Sequence, residues 1–437
     1  MPREAAPNGT IREFDLTAAP AELPLIDGSK KHLWAYNGSV PGPTLRVRLG
    51  DTVRVRFKND LPQATTVHWH GVRVPNAMDG VPGATQPPVE PGGTFLYEFT
   101  PKDAGTFWFH PHLRSSEQVE RGLYGLLIVE DAVSAPYDRD IAWVIDDFLL
   151  DEQGQIAEPF NTPHDLMHDG RWGNVITVNG STKTALSLMG GQRVRLRLLN
   201  ASNGRVYKPD FGSLNASVIA VDGTYLREPV PLSSLSFELA PGNRLDLDVS
   251  APVQSGTSTQ QIAVLDRFLS ARPNHLADIY IEGATTSPIA FASPARAHVP
   301  HWSGFQAIPV THEFRLNARR GGPLGIEWTI DDKAFAGHDH AAMLSLTQGK
   351  FHRLRFVNDS YRLHPIHVHG MFFRLLSRDG APVDEPFFRD TVLIHGKETI
   401  ELGVVPLDQG HWMMHCHILE HAEAGMMTMI DVVADRR

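Results

Sequence analysis

The sequence predicts an all-β protein made of three copies of one sandwich or barrel unit. Three observations carry this. Short runs of alternating apolar and polar residues, bounded by Gly, Pro, Asn and Asp, fill the chain, and no long 3.6-residue period appears. Gly50–Asn59, Gly191–Asn200 and Gly349–Asn358 repeat one pattern, in which a Gly opens a strand, arginines alternate with apolar residues and an Asn closes it. The residues that follow also repeat at fixed offsets, chiefly in the first and third copies.

Bulk properties agree with a soluble, turn-rich chain. Its 437 residues suit about three domains at ~150 residues each. The 40 basic residues against 50 acidic give a net charge of -10, and no basic run occurs, so nucleic acid is not an expected partner. One cysteine excludes an internal disulfide framework. No apolar run approaches the ~20 residues of a membrane span, so no membrane association is expected. The first ten residues lack an apolar leader core, which fits a cytosolic protein or one whose leader was removed and a start Met added. The compositional anomaly is histidine, with 22 residues clustered in pairs.

The first unit, residues 1–135, runs to the strand end Ile128–Asp131. After its repeat strand come His68 and His70, followed by Gly71, and Gly105 leads to His110 and His112. The middle unit, residues 136–290, has Pro209 and Phe211 at the first offsets and Gln261 and Ala263 at the second, so it reads as a spacer without metal ligands. An Ala/Ser/Pro stretch from Ala284 to Pro300 reads as a linker into the third unit, residues 291–437. There His367 and His369 precede Gly370, and Gly410 leads to His415 and His417.

Parity along these strands assigns the chemistry. Side chains two apart share a face, so each His-x-His pair presents two imidazoles together. Docking the first unit on the third by a pseudo-twofold axis would gather eight imidazoles, a neutral nitrogen set suited to copper and about right for three ions. Cys416, between His415 and His417, points to the opposite face. His364 stands an odd three residues before His367 and takes that face too. With His421 and a thioether these make the donor set of a blue-copper site. Met426 is the expected thioether, with Met427 and Met429 as competitors. The positions matching His364 and Cys416 in the first unit are Thr65 and Pro111, so such a site occurs once.

His-Trp-His-Gly at 68–71, His-Pro-His at 110–112, His-Pro-Ile-His-Val-His-Gly at 364–370 and His-Cys-His-Ile-Leu-Glu-His-Ala-Glu-Ala-Gly-Met at 415–426 together resemble the three-domain multicopper oxidases, in particular the bacterial laccase-like group. The resemblance spans essentially the whole chain. It implies three consecutive cupredoxin-like Greek-key domains and four copper ions, one type 1, one type 2 and two type 3. By the family pattern His68 and His367 hold type 2. One type-3 ion takes His70, His110 and His417, and the other His112, His369 and His415. The implied reaction couples one-electron oxidation of phenols or aromatic amines to reduction of dioxygen to water, with Cys416, His415 and His417 as the electron path. The expected partners are a small-molecule reductant and dioxygen, the expected state a monomer, and the expected location periplasmic or secreted.

Asp79, eleven residues after His68, matches a family acid on the proton path, although Asp79-Gly80 is also an ordinary turn pair. The acid that often follows the histidine matching His421 is here Ala422, with Glu423 one place on. Two other functions compete. A cuprous oxidase often carries a methionine-rich insert, and the 11 Met of this chain form no such run. A copper-storage or zinc protein has no use for a thiolate wired between two imidazoles. His338 with His340, and His164 with His168, read as solvated loops, while Trp69, Trp108, Met413 and Met414 read as packing.

Overall fold

The computed structural model describes residues 9–131, 137–253, 258–269, 271–284, 308–337 and 340–435. The unit boundaries drawn at 135/136 and 290/291, and His338, lie outside the described residues. Strand exceeds helix by 51% to 6%, as the all-β reading requires.

Six sheets fall into three pairs along the chain. In each pair one sheet joins the repeat strand in parallel to the strand that opens the copy. Ile11–Pro24 runs beside Thr52–Asn59, Arg139–Phe148 beside Arg193–Asn200, and His312–Arg320 beside His352–Asn358. The other sheet has a parallel pair too, Leu45–Arg48 with Gly125–Glu130, Ala185–Gly190 with Asn274–Ala284, and Ala342–Thr347 with Met427–Val433. The same four-strand connectivity occurs three times in each kind of sheet, and the later copies add edge strands to it.

The repeat strands are amphipathic for a legible reason. Val53, Val55 and Phe57 are buried in the first core, while Arg54 and Arg56 reach Glu98, Glu13 and Asp15 on neighbouring strands. Arg353 and Arg355 do the same with Glu401. The closing asparagine has one task in all three copies. Asn59 Nδ2 donates to the carbonyls of Gln63 and Val89, Asn200 to those of Arg205 and Leu239, and Asn358 to those of Arg362 and His395. Each Oδ1 accepts the backbone N–H two residues on, from Leu61, Ser202 and Ser360. Buried carbonyls that leave the ladder at the strand end are thereby satisfied.

The first and third sheet pairs meet along their histidine strands. His68–His70 pairs with Gly105–His110, and His364–Val368 pairs with Gly410–Cys416. The contact is secured by Arg73, which donates to Asp408 at 2.9 Å, and by Asn76, whose amide donates to the His411 carbonyl at 2.8 Å. Among the described residues no helix is long and apolar enough to cross a membrane.

Candidate metal centres

The strand Gly410–Cys416 sets His415 opposite His367 and Cys416 opposite Ile366. Alternation sends the two imidazoles to one face and the thiol to the other, where His364 shares the side of Ile366. There Cys416 Sγ lies 3.6 Å from His364 Nδ1 and 3.8 Å from His421 Nδ1, and the two nitrogens are 3.2 Å apart. A point in the plane of these atoms lies about 2 Å from each, which is a metal–ligand distance.

Hydrogen bonds leave both nitrogens with bare lone pairs. His421 Nε2 donates to the His168 carbonyl at 2.7 Å, since a carbonyl only accepts. The Ser360 hydroxyl gives its proton to Asn358 Oδ1 at 2.8 Å and so accepts from His364 Nε2 at 2.9 Å. Trp328 covers the pair, with its ring 4.1 Å from His421 and 5.0 Å from His364. Burial pushes His421 down to about 3 and His364 well below the usual imidazole range, so both are neutral. Burial pushes the Cys416 thiol well up, so a thiolate here requires a cation beside it. Met426 packs in the same buried cluster as Cys416, and its carbonyl accepts the Cys416 N–H. Met427 and Met429 pack instead against Val81 and Met413.

On the other face all eight paired imidazoles converge, His112 being 9% exposed and the rest at most 1%. His68 stacks on His369 at 3.8 Å and His70 on His367 at 3.6 Å, the crosswise match a pseudo-twofold axis demands. His112, His369 and His415 offer nitrogens within 4.8 Å of one another. The rings of His70, His110 and His417 are 5.0–5.7 Å apart, and those of His68 and His367 are 5.8 Å apart.

Here too the far nitrogens fix the tautomers. Nδ1 of His68, His110, His367 and His415 donates to the carbonyls of Asp79, Pro111, Asp390 and Cys416, at 2.7–2.9 Å. Their Nε2 atoms therefore carry lone pairs, and those of His68, His110 and His367 are buried with no hydrogen-bond partner. The Nε2 atoms of His415 and His369 face each other at 3.2 Å, an arrangement of two acceptors that a cation between them would relieve. Burial pushes His369 to about 3 and His70, His110, His112, His415 and His417 well below the usual range. Buried, neutral, inward-facing imidazoles fit copper, as the chemistry of this donor set requires.

Asp79 touches both halves of the cluster. Its carboxylate accepts from His369 Nδ1 at 2.8 Å and lies 3.3 Å from His68 Nδ1. Burial raises this carboxyl, but His369 and His68 outweigh that and hold it well below the usual carboxylate range. Glu423 is engaged elsewhere, with backbone N–H groups of Ser115 and Ser116 at the start of the helix Ser115–Glu120 as hydrogen-bond partners. Trp69 packs on Tyr97, Phe99 and Phe109, whereas Trp108 lies over His110 at 4.2 Å. Met413 and Met414 are buried core, and His164 and His168 stack on each other at the surface.

Sequence reasoning missed Asp390, Arg244, Ser360, Trp328 and the His168 carbonyl. Asp390, Ser360, Trp328 and the carbonyl touch the donor residues directly, Arg244 reaches them through Asp390, and only Ser360 lies near a quoted motif. The middle segment contributes none of the imidazoles of either cluster, but it contributes Arg244 and that carbonyl.

An all-β fold repeated three times, with a buried Cys-His₂ site and an eight-imidazole site shared between two strand pairs, defines a copper-binding redox protein. Family profiles described as multicopper oxidase match residues 18–134 and 308–436. A multi-copper oxidase structure from Pseudomonas Thermotolerans is 33% identical with a TM-score of 0.86, covering 98% of this chain and 100% of that one. A bacterial laccase-like multi-copper oxidase from Ochrobactrum sp. is 25% identical with a TM-score of 0.82, covering 97% and 99%. A curated multicopper oxidase of Staphylococcus epidermidis is 27% identical over 97% of this chain and 89% of its own length. The chain belongs to the multicopper oxidase family. It is a copper-dependent oxidoreductase that uses dioxygen, and its repeated sheet pairs are cupredoxin-like.

Proposed function

We propose that this protein is a laccase-like oxidase holding four copper ions. His364, Cys416, His421 and Met426 hold the type-1 ion, His68 and His367 the type-2 ion, and His70, His110 and His417 with His112, His369 and His415 the type-3 pair. When bound, these ions supply one-electron chemistry toward phenols or aromatic amines and four-electron reduction of dioxygen to water. The residues do the rest. The observation that carries the reading is one strand end, where Cys416 faces one donor set while His415 and His417 face the other, a covalent link of one residue step in each direction. His421 and His364 are fully buried under Trp328, which keeps water from the thiolate site. Asp79 holds His68 and His369 through their Nδ1 protons and is the proposed proton-handling acid. We extend the family habit of export to a periplasmic or secreted location, and we take the chain as a monomer.

For the reductant, the Ochrobactrum relative, which has oxidase activity towards lignin model compounds and lignosulfonate, supports the organic reading. One observation favours Cu(I) as a second reading. The His168 carbonyl bonded to His421 belongs to a surface segment that exposes Met167 (54%), His164 and His168, soft donors beside the electron entry. Oxygen uptake by the copper-loaded enzyme on a phenol and on Cu(I) separates the two. Uptake on the phenol that exceeds uptake on Cu(I) supports the laccase reading, and the reverse supports the cuprous one.

A further inference from the structure

Of the eight cluster imidazoles, His70 is held the other way round. His68, His110, His367, His369 and His415 each tie down Nδ1 and aim Nε2 inward. His70 instead has Nε2 3.2 Å from Asp390 Oδ1, with the Thr391 hydroxyl oxygen at 3.4 Å, while its Nδ1 is buried without a partner. A carboxylate accepts, and Thr391 gives its own proton to the same Oδ1 at 2.8 Å, so the His70 proton sits on Nε2. The Asp390 backbone carbonyl also takes the Nδ1 proton of His367, the ring stacked on His70. One residue thus sets two stacked imidazoles with opposite nitrogens free.

Asp390 is gripped by Arg244 from the middle segment. Arg244 Nη1 and Nη2 fork onto its two oxygens at 3.0 and 2.7 Å, and Nε donates to the Thr106 carbonyl of the first segment at 3.1 Å. Asp222 accepts the backbone N–H groups of Arg244, Asp390 and Thr391 at 2.9–3.2 Å, and Asn243 bridges Asp222 to the Thr391 carbonyl. Arg244, Asp222, Asp390 and Thr391 are all fully buried. The backbone makes room for the clamp. At Gly71 (φ +80°) a Cβ would lie 2.2 Å from Arg244 Nη2 and 2.5 Å from Asp390 Oδ2, and at Gly242 (φ +89°) one would lie 3.0 Å from rings of both His70 and His417.

We propose that Asp390, clamped by Arg244, is the positioning residue that presents His70 to the copper cluster through Nδ1, so that the middle segment forms the third wall of the oxygen-reducing site. This rests on the assignment of His70 to that cluster. Partners at this remove typically change metal affinity or activity by roughly 10–100-fold. The test uses the full-length enzyme carrying Asp390→Asn or Arg244→Lys, the latter keeping the charge but losing the fork. The expected result for Asp390→Asn is an unchanged blue absorption per chain, copper lost from the cluster, an altered type-2 electron paramagnetic resonance signal and roughly 10–100-fold slower oxygen uptake. Arg244→Lys should fall between Asp390→Asn and the parent. Full copper content with an unchanged type-2 signal in Asp390→Asn overturns the proposal. Independently of any variant, nitrogen-resolved NMR of the fully reduced, diamagnetic enzyme should find the His70 proton on Nε2, and a proton on Nδ1 overturns it. A parent enzyme with fewer than four copper ions or no blue band would instead sink the four-copper reading.

Discussion

At the scale of single residues, the sites are built by hydrogen bonds that point lone pairs inward. Backbone carbonyls fix five rings, those of His68, His110, His367, His415 and His421, and a carbonyl neither titrates nor rotates away. Two titratable side chains also serve: the Asp79 carboxylate holds His369 and lies 3.3 Å from His68 of the opposite half, and Asp390 holds His70. Asp79→Asn keeps the volume and the backbone carbonyl that receives the His68 proton, but removes the charge that receives the His369 Nδ1 proton. Oxygen uptake should fall roughly 10–100-fold with the blue band retained, as stopped-flow and visible spectra can check. An unchanged rate removes Asp79 from the proton path. These contacts explain why parity along a strand was enough to sort the thiol and the imidazoles into two clusters. It was blind to Asp390 and Arg244, because Arg244 meets Asp390 across 146 residues and Asp390 meets His70 across 320.

At the scale of elements, one asparagine closes each repeat strand and satisfies the same three backbone groups. Its recurrence was legible because the offsets are local, whereas its task was not, since the carbonyls it meets at Val89, Leu239 and His395 come from distant loops. In the third copy the asparagine does more, because Asn358 Oδ1 also takes the proton of Ser360, which in turn receives that of His364. Asn59→Ala and Asn358→Ala should each cost about 1–3 kcal/mol through stranded carbonyls, read as a lower urea midpoint. Only Asn358→Ala should also shift the blue band and the type-1 reduction potential. Identical spectra in the two variants would break the link from Asn358 to His364. Glu423 teaches a related lesson. The sequence puts Glu423 one place past the position of the missing acid, and the structure puts it at the start of a short helix that has no side-chain cap of its own.

At the scale of the whole molecule, three homologous sheet pairs have diverged so that two carry metal donors and the third locks them. That division was readable from the missing histidines of the middle copy, but not the extent of the locking, which depends on contacts between copies. One such contact is pH-sensitive. His395 Nε2 lies 2.8 Å from Glu238, and that bond raises the histidine above its ordinary value. A raised folded value means the stabilisation is full below about pH 6.5 and fades as pH rises through the shifted value. With His395 43% exposed, solvent screening keeps the effect below about 1 kcal/mol. The melting temperature should therefore drop slightly from pH 6 to pH 8, and His395→Gln should remove that slope. A slope that survives in the variant assigns it to other groups.

The account turns on the claim that one sulfur and its two neighbouring imidazoles serve two separate metal sites. The most direct measurement is the spectrum, copper content and turnover of Cys416→Ser. Since the hydroxyl fills nearly the same space in a packed core, the fold and the eight-imidazole cluster should remain, with three copper ions per chain, no blue absorption and no oxidation of reductants. Turnover at a rate near the parent's, or loss of copper from both sites together, would contradict it.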